Sequence, residues 1–174
     1  MLAKLNFPVI SIATAPPEVV PLLERIKKKF SGIPPIKGMM ANSPVTLESY
    51  LDLSDNMDKT SFSKIEQQAI YLLLSSYNQC GYCMNAHTHA LKNIFKQPPD
   101  SVDAIVAGQP TGHAKTDALL DTVRALLEGR GEVSEGQRSR FVEAGYTEAQ
   151  LIDLLAAIAM KTLTNYMGRL AQLD

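Results

Sequence analysis

The sequence has no apolar run near the roughly 18 residues needed to cross a bilayer, and no stretch of period-two alternation rich in β-formers. It has only two cysteines and three histidines, and its 17 basic residues nearly cancel its 18 acidic ones, leaving a net charge of −1. Each shortage excludes something. The missing apolar run argues against a membrane-spanning helix, and the missing alternation argues against a sheet. The balanced charge gives no broad attraction to nucleic acid or anionic lipid. Lys27, Lys28 and Lys29 form the one dense basic run, which reads as a solvated helix face. Two cysteines do not make a disulfide scaffold. A leader peptide finds weak footing: Lys4 precedes the stretch from Phe7 to Ala13, but Asn6 and Pro8 interrupt it. The expectation is a cytoplasmic protein.

What remains is helical. At 174 residues, 45% apolar and 20% charged, the chain has the length of one domain with its own core, residues 1–174. Residues 18–30 put Val19, Leu22, Leu23, Ile26 and Phe30 on one face, with Glu18 in the first turn and Gly32 beyond the last. A short helix is expected from Lys37 to Asn42, and Ser43 with Pro44 opens another. Ser63 and Glu66 have capping-box spacing ahead of a long apolar helix to Tyr77, and the pattern recurs at Ser134–Gln137 and Thr147–Gln150. Asp100 is expected to cap a short helix, and residues 114–128 form another. The final helix, Glu148 to about Ala171, is apolar around much of its girth. It is either the centre of the domain or also packs on another subunit. The fold class is all-α, a single-domain bundle of about seven to nine helices. Two capped apolar helices, each running into an asparagine (Asn78 and Asn165), form a faint internal echo.

Both cysteines lie in one stretch, Cys80 and Cys83, with His87 following. On a helix these three fall within a stripe about 60° wide. A thiolate is the reactive form of cysteine, and its pKa falls at a helix N-terminus and beside an imidazole. Cys83, one turn from His87, is the candidate for the activated thiol. Cys80, nearer the helix start, would resolve a sulfenic acid or mixed disulfide by pairing with it. The helix N-terminus favours Cys80 and the histidine favours Cys83, so the order of attack stays open. Tyr82 would shape the entrance. Structural zinc is the first rival, but His89 lies about 200° from His87, and His113 sits in a Pro/Gly loop. Two inert buried thiols are the second rival.

This pattern resembles the alkylhydroperoxidase D-like branch of the carboxymuconolactone decarboxylase family. The likeness rests on Asn78, Cys80, Cys83 and His87. It extends to Ile33-Pro-Pro, to Ser43 and Pro44 with Leu47 and Tyr50, to Glu66 through Gln68, and to Lys161 through Tyr166. The resemblance implies a homo-oligomer, commonly a trimer or hexamer, with no bound metal or other cofactor. It also implies an antioxidant oxidoreductase that reduces hydroperoxides, or exchanges disulfides, through the cysteine pair. Electrons would come from an external dithiol, a lipoylated or thioredoxin-like protein. The family pattern has a glutamate twelve positions before the first cysteine, in a proton relay with the histidine. Here that position is Gln68, which can hydrogen-bond but cannot hold a proton. Glu66 is a further candidate for the catalytic carboxylate, although it lies about 200° round the helix and its capping-box role already explains it. The relay is then either Cys83–His87 with water or completed by a carboxylate from elsewhere. Two other functions remain open: a lyase or isomerase of the family's other branch, and a non-enzymatic redox-sensing module.

Overall fold

The computed structural model describes residues 7–173. Lys4 and Asn6, on which the leader reading partly rests, lie outside the described residues. Within them the chain forms nine α-helices and no strand: α1 Val20–Phe30, α2 Pro35–Met40, α3 Pro44–Met57, α4 Lys64–Tyr77, α5 Gly81–His89, α6 Pro99–Ala107, α7 Ala114–Glu128, α8 Glu135–Glu143 and α9 Glu148–Leu170. The all-α reading holds.

Local chemistry sets most boundaries. Ser43 caps α3 by accepting from Thr46, with Pro44 in the first turn. Ser63, Ser134 and Thr147 each close a reciprocal capping box with Glu66, Gln137 and Gln150. Prolines move three starts from where they were expected. α1 begins at Val20 with Pro21 in its first turn, leaving Glu18 outside. α2 begins at Pro35, two residues early. α6 begins at Pro99 after Pro98, so Asp100 lies inside the first turn and does not cap it. Proline lacks the N–H that the first turn leaves unpaired and presets φ, so it takes that turn readily.

α4 is the most deeply buried helix. From Ala69 to Ser75 all its side chains are shut off from solvent, and it packs against α5, α6, α7 and α9. Leu23, Ile26, Leu47, Leu51, Leu72, Leu74, Leu119 and Phe141 fill the core around it. α9 buries one face through Leu154, Ala157, Met160, Lys161, Thr164, Asn165 and Gly168. Its opposite side leaves Ile152, Leu155, Tyr166 and Leu170 exposed. Of the two alternatives for α9, the central position therefore falls to α4, and α9 keeps an apolar outer face. The echo has a spatial counterpart: Asn78 and Asn165 meet at 3.1 Å.

The helix that Cys80 opens is short. α4 ends at Tyr77 with Asn78 as its C-cap, Gln79 takes a left-handed φ of 54°, and Cys80 is extended. Asn78–Gln79 is thus a sharp break between two helices. Arg169 on α9 fastens the break by donating to the Gln79 carbonyl at 2.9 Å. After His89 the helix widens into a π turn, Ala90–Ile94, so helical backbone continues to just short of Phe95.

Candidate active site

Four helices bring the candidate site together. Cys80 caps α5 and Cys83 lies in its first turn, with 1% and 4% of their surfaces exposed. The two thiols are not bonded to each other. α9 crosses directly beneath them at Gly168. A Cβ placed there would stand 2.8 Å from Cys80 Sγ and 3.9 Å from Cys83 Sγ, so a residue without a side chain lets the two helices close. α2 contributes Lys37 and α4 contributes Gln68 and Tyr71. Together they line a cavity of about 270 Å³ that reaches Cys83 and His87.

The two thiols are differentiated. The Cys80 thiol hydrogen-bonds to the Cys83 sulfur, which lowers the Cys83 pKa to about 6. Burial opposes that shift, while the charges of Lys161 and Lys37 add to it. Cys80 moves upward, because donating to Cys83 and being buried both favour its protonated form. The pair therefore places its negative charge on Cys83 in preference to Cys80.

His87 does not hydrogen-bond to Cys83. Nδ1 lies 2.8 Å from Gln68 Oε1 and Nε2 lies 2.8 Å from Lys161 Nζ. An amide oxygen only accepts, so Nδ1 carries the hydrogen, and the Nε2 lone pair accepts from the Lys161 ammonium. Burial, with Lys161 and Lys37 adding to it, holds the imidazole well below its ordinary pKa. His87 is therefore a neutral acceptor tied to a lysine. The expected Cys83–His87 handover lacks a direct bond because both ring nitrogens are engaged elsewhere. The Tyr71 ring packs 5.5 Å from the imidazole and holds its plane.

Gln68 thus contacts the histidine from the position the resemblance gives to glutamate. Glu66 turns away: it accepts from the Tyr146 hydroxyl at 2.7 Å and from the Ser63 backbone at 2.8 Å, and Lys115 lies 3.6 Å off. Those partners make it a cap and an inter-helix tie. Tyr82 is half-buried and lines the cavity wall. His89 is exposed and bonded to Asn93, and His113 is exposed ahead of α7. Among the described residues no three His, Cys, Asp or Glu side chains cluster as metal ligands.

Sequence reasoning missed Lys37 and Lys161 as site residues. One signal was available for Lys161. Leu154, Ala157, Lys161, Thr164 and Gly168 run at helical spacing along the buried face of α9, and a lysine in such a stripe needs a reason. Lys37 lies on a helix of six residues between two proline-bearing turns, too short to show a face.

No family model and no curated protein matches the sequence. Solved structures do. The alkylhydroperoxidase AhpD core, an uncharacterized peroxidase-related protein from Ralstonia eutropha JMP134, superposes with a TM-score of 0.79 at 22% identity, covering 95% of this chain and 90% of that one. An uncharacterized peroxidase-related protein from Silicibacter sp. TM1040 gives 0.74 at 21% identity, over 97% and 87%. The debrominase Bmp8, in a cysteine-to-alanine variant complexed with 2,3,4-tribromopyrrole, gives 0.75 at 16% identity, over 99% and 92%. One fold thus carries more than one chemistry. The resemblance drawn from the cysteine motif extends to the architecture of the chain: it has the helical fold of the alkylhydroperoxidase D-like proteins.

Proposed function

We propose that the protein is a thiol-dependent oxidoreductase that reduces hydroperoxides at Cys83 and resolves the product with Cys80. The single observation behind this is the placement of the pair: two buried, unbonded cysteines at the start of α5, with Cys83 opening onto a cavity that Lys161 and His87 also line. Cys83 thiolate attacks the distal oxygen of ROOH. The S–O bond forms, the O–O bond breaks, and the leaving alkoxide takes a proton from the Lys161 ammonium. Cys80 then attacks the Cys83 sulfenic acid, the disulfide forms, and the departing hydroxide takes the Cys80 proton as water. The sum is ROOH plus two thiols giving ROH, water and one disulfide.

His87 orients Lys161 by accepting from its ammonium through Nε2, and the lysine is recharged from solvent after the transfer. Gln68 fixes the tautomer that leaves Nε2 free to accept. With an amide in place of a carboxylate, Lys161 is the group that supplies the proton and His87 positions it. The electron donor would be an external dithiol. Both sulfurs are buried, and Cys83 lines a small cavity, which suits a slender lipoyl-type arm better than the face of a thioredoxin-like domain. A homo-oligomer would cover the outer face of α9 at Ile152, Leu155, Tyr166 and Leu170, which borders an apolar groove of about 990 Å³.

Peroxide consumption with reduced lipoamide or dithiothreitol tests the reading, compared with Cys83→Ser and Cys80→Ser. Turnover lost in both supports it; equal turnover in all three overturns it. A protein inert to peroxide but releasing bromide from a bromopyrrole with the same dithiol would move the reading to dehalogenation, on the precedent of the debrominase neighbour.

A further inference from the structure

The cavity above Cys83 holds two lysines in an unusual state. Lys37 and Lys161 keep 6% and 4% of their surfaces exposed, and both line the cavity. Among the described residues neither pairs with a carboxylate. Lys37 Nζ lies 3.2 Å from the centroid of the Tyr50 ring, and Lys161 Nζ is bound to the neutral His87. Buried cations without a counter-ion are costly, because desolvation is not offset by a partner charge. The Cys83 thiolate balances only one of the two. At the rim, Lys29 and Lys64 share Asp58, and Lys29 also meets Asp55 at 2.8 Å. The lining thus contributes four lysines against one aspartate.

We propose that the cavity is a seat for a small organic anion, whose carboxylate sits between Lys37 and Lys161 while its apolar body packs on Tyr50, Tyr82 and Met160. This rests on the thiol reading of the site and names its substrate class: a hydroperoxide, or another electrophile, that carries a carboxylate. The volume of about 270 Å³ equals that of about nine waters at roughly 30 Å³ each, which fits a single-ring or short-chain acid. The wall divides accordingly, with two buried lysine side chains beside aromatic and thioether surface. Burial holds both lysines below their ordinary pKa, Lys37 the more strongly. An arriving carboxylate would restore their full charge, so binding and proton uptake go together.

Two nearly isosteric alkylating agents test the seat without requiring peroxide turnover. Iodoacetate and iodoacetamide each form a thioether at Cys83 and release iodide, and differ in that one is an anion and the other neutral. The rate ratio, iodoacetate over iodoacetamide, is read at Cys83 by peptide mass mapping, folded and in urea. The proposal expects the folded ratio to exceed the unfolded one by about tenfold or more and to fall towards it in Lys37→Met. Loss of thiolate in that variant slows both reagents equally and cancels in the ratio. If Lys37→Met does not fold, a wild-type measurement decides: benzoate slows iodoacetamide labelling of Cys83, and benzyl alcohol at the same concentration does not. A folded ratio no higher than the unfolded one, or equal protection by benzoate and benzyl alcohol, overturns the seat. Those results leave peroxide consumption untouched, so failure of the seat and failure of the peroxidase reading are told apart.

Discussion

Lys161 Nζ lies 2.8 Å from His87 Nε2. This contact joins α9 to α5 and sets the protonation of the site. A lysine ammonium can only donate, so the imidazole it touches must be unprotonated at that nitrogen. Replacing Lys161 with methionine removes both the donor and a charge that lowers His87. The His87 pKa should then rise towards its ordinary value, near 6.5, as read by imidazole chemical shifts against pH. Peroxide turnover should fall by about 100-fold or more, as for loss of a general acid.

The Cys83 thiolate should be populated at neutral pH. Its pKa is lowered to about 6, so the rate of alkylation by iodoacetamide should rise with pH through a midpoint near that value and then level off. The depressed value places the rise on the acid side of neutrality. An unperturbed thiol would still be gaining reactivity above pH 8. Cys80→Ser replaces the thiol donor with a hydroxyl, and Cys80→Ala removes it. The midpoint should therefore move upward in Cys80→Ala more than in Cys80→Ser.

Gly168 is where α9 passes the thiols. A methyl group at that position would come within 2.8 Å of Cys80 Sγ and 3.5 Å of Ile36 Cδ1. Gly168→Ala should cost about 1–3 kcal/mol through overpacking, partly offset by the better helix propensity of alanine. The melting temperature should drop by several degrees. Disulfide formation under peroxide should slow as well, since the strain falls on the sulfur that must reach Cys83.

Gln68→Glu would place a carboxylate against His87 Nδ1. An opposite charge favours the imidazolium, so the His87 pKa should rise. The pH–rate profile for peroxide should then gain an inflection near the new value. An unchanged profile would show that His87 does not take part in the rate-limiting proton transfer.

The helices were legible because capping and burial act over short spans. Ser63 with Glu66, Ser134 with Gln137 and Thr147 with Gln150 read the same in sequence and in structure. Proline-led starts were less legible: at Pro35 and Pro99 the first turn absorbs a residue that reads as a breaker. At the site, the i, i+3 spacing of Cys80 and Cys83 was visible, and so was the position of Gln68. Lys37 and Lys161 were not, since they approach Cys83 from α2 and α9, many residues away in the chain, and no periodicity encodes that meeting. The direction of Glu66 was settled by Tyr146, another distant partner.

The most direct test of the central claim is the mass of the reduced protein after one equivalent of hydroperoxide, in wild type, Cys80→Ser and Cys83→Ser. The account predicts loss of two hydrogens in wild type as Cys80 and Cys83 join. It predicts gain of one oxygen at Cys83 when Cys80 is absent, and no fast reaction when Cys83 is absent. Oxidation of Cys83→Ser at the wild-type rate would contradict it.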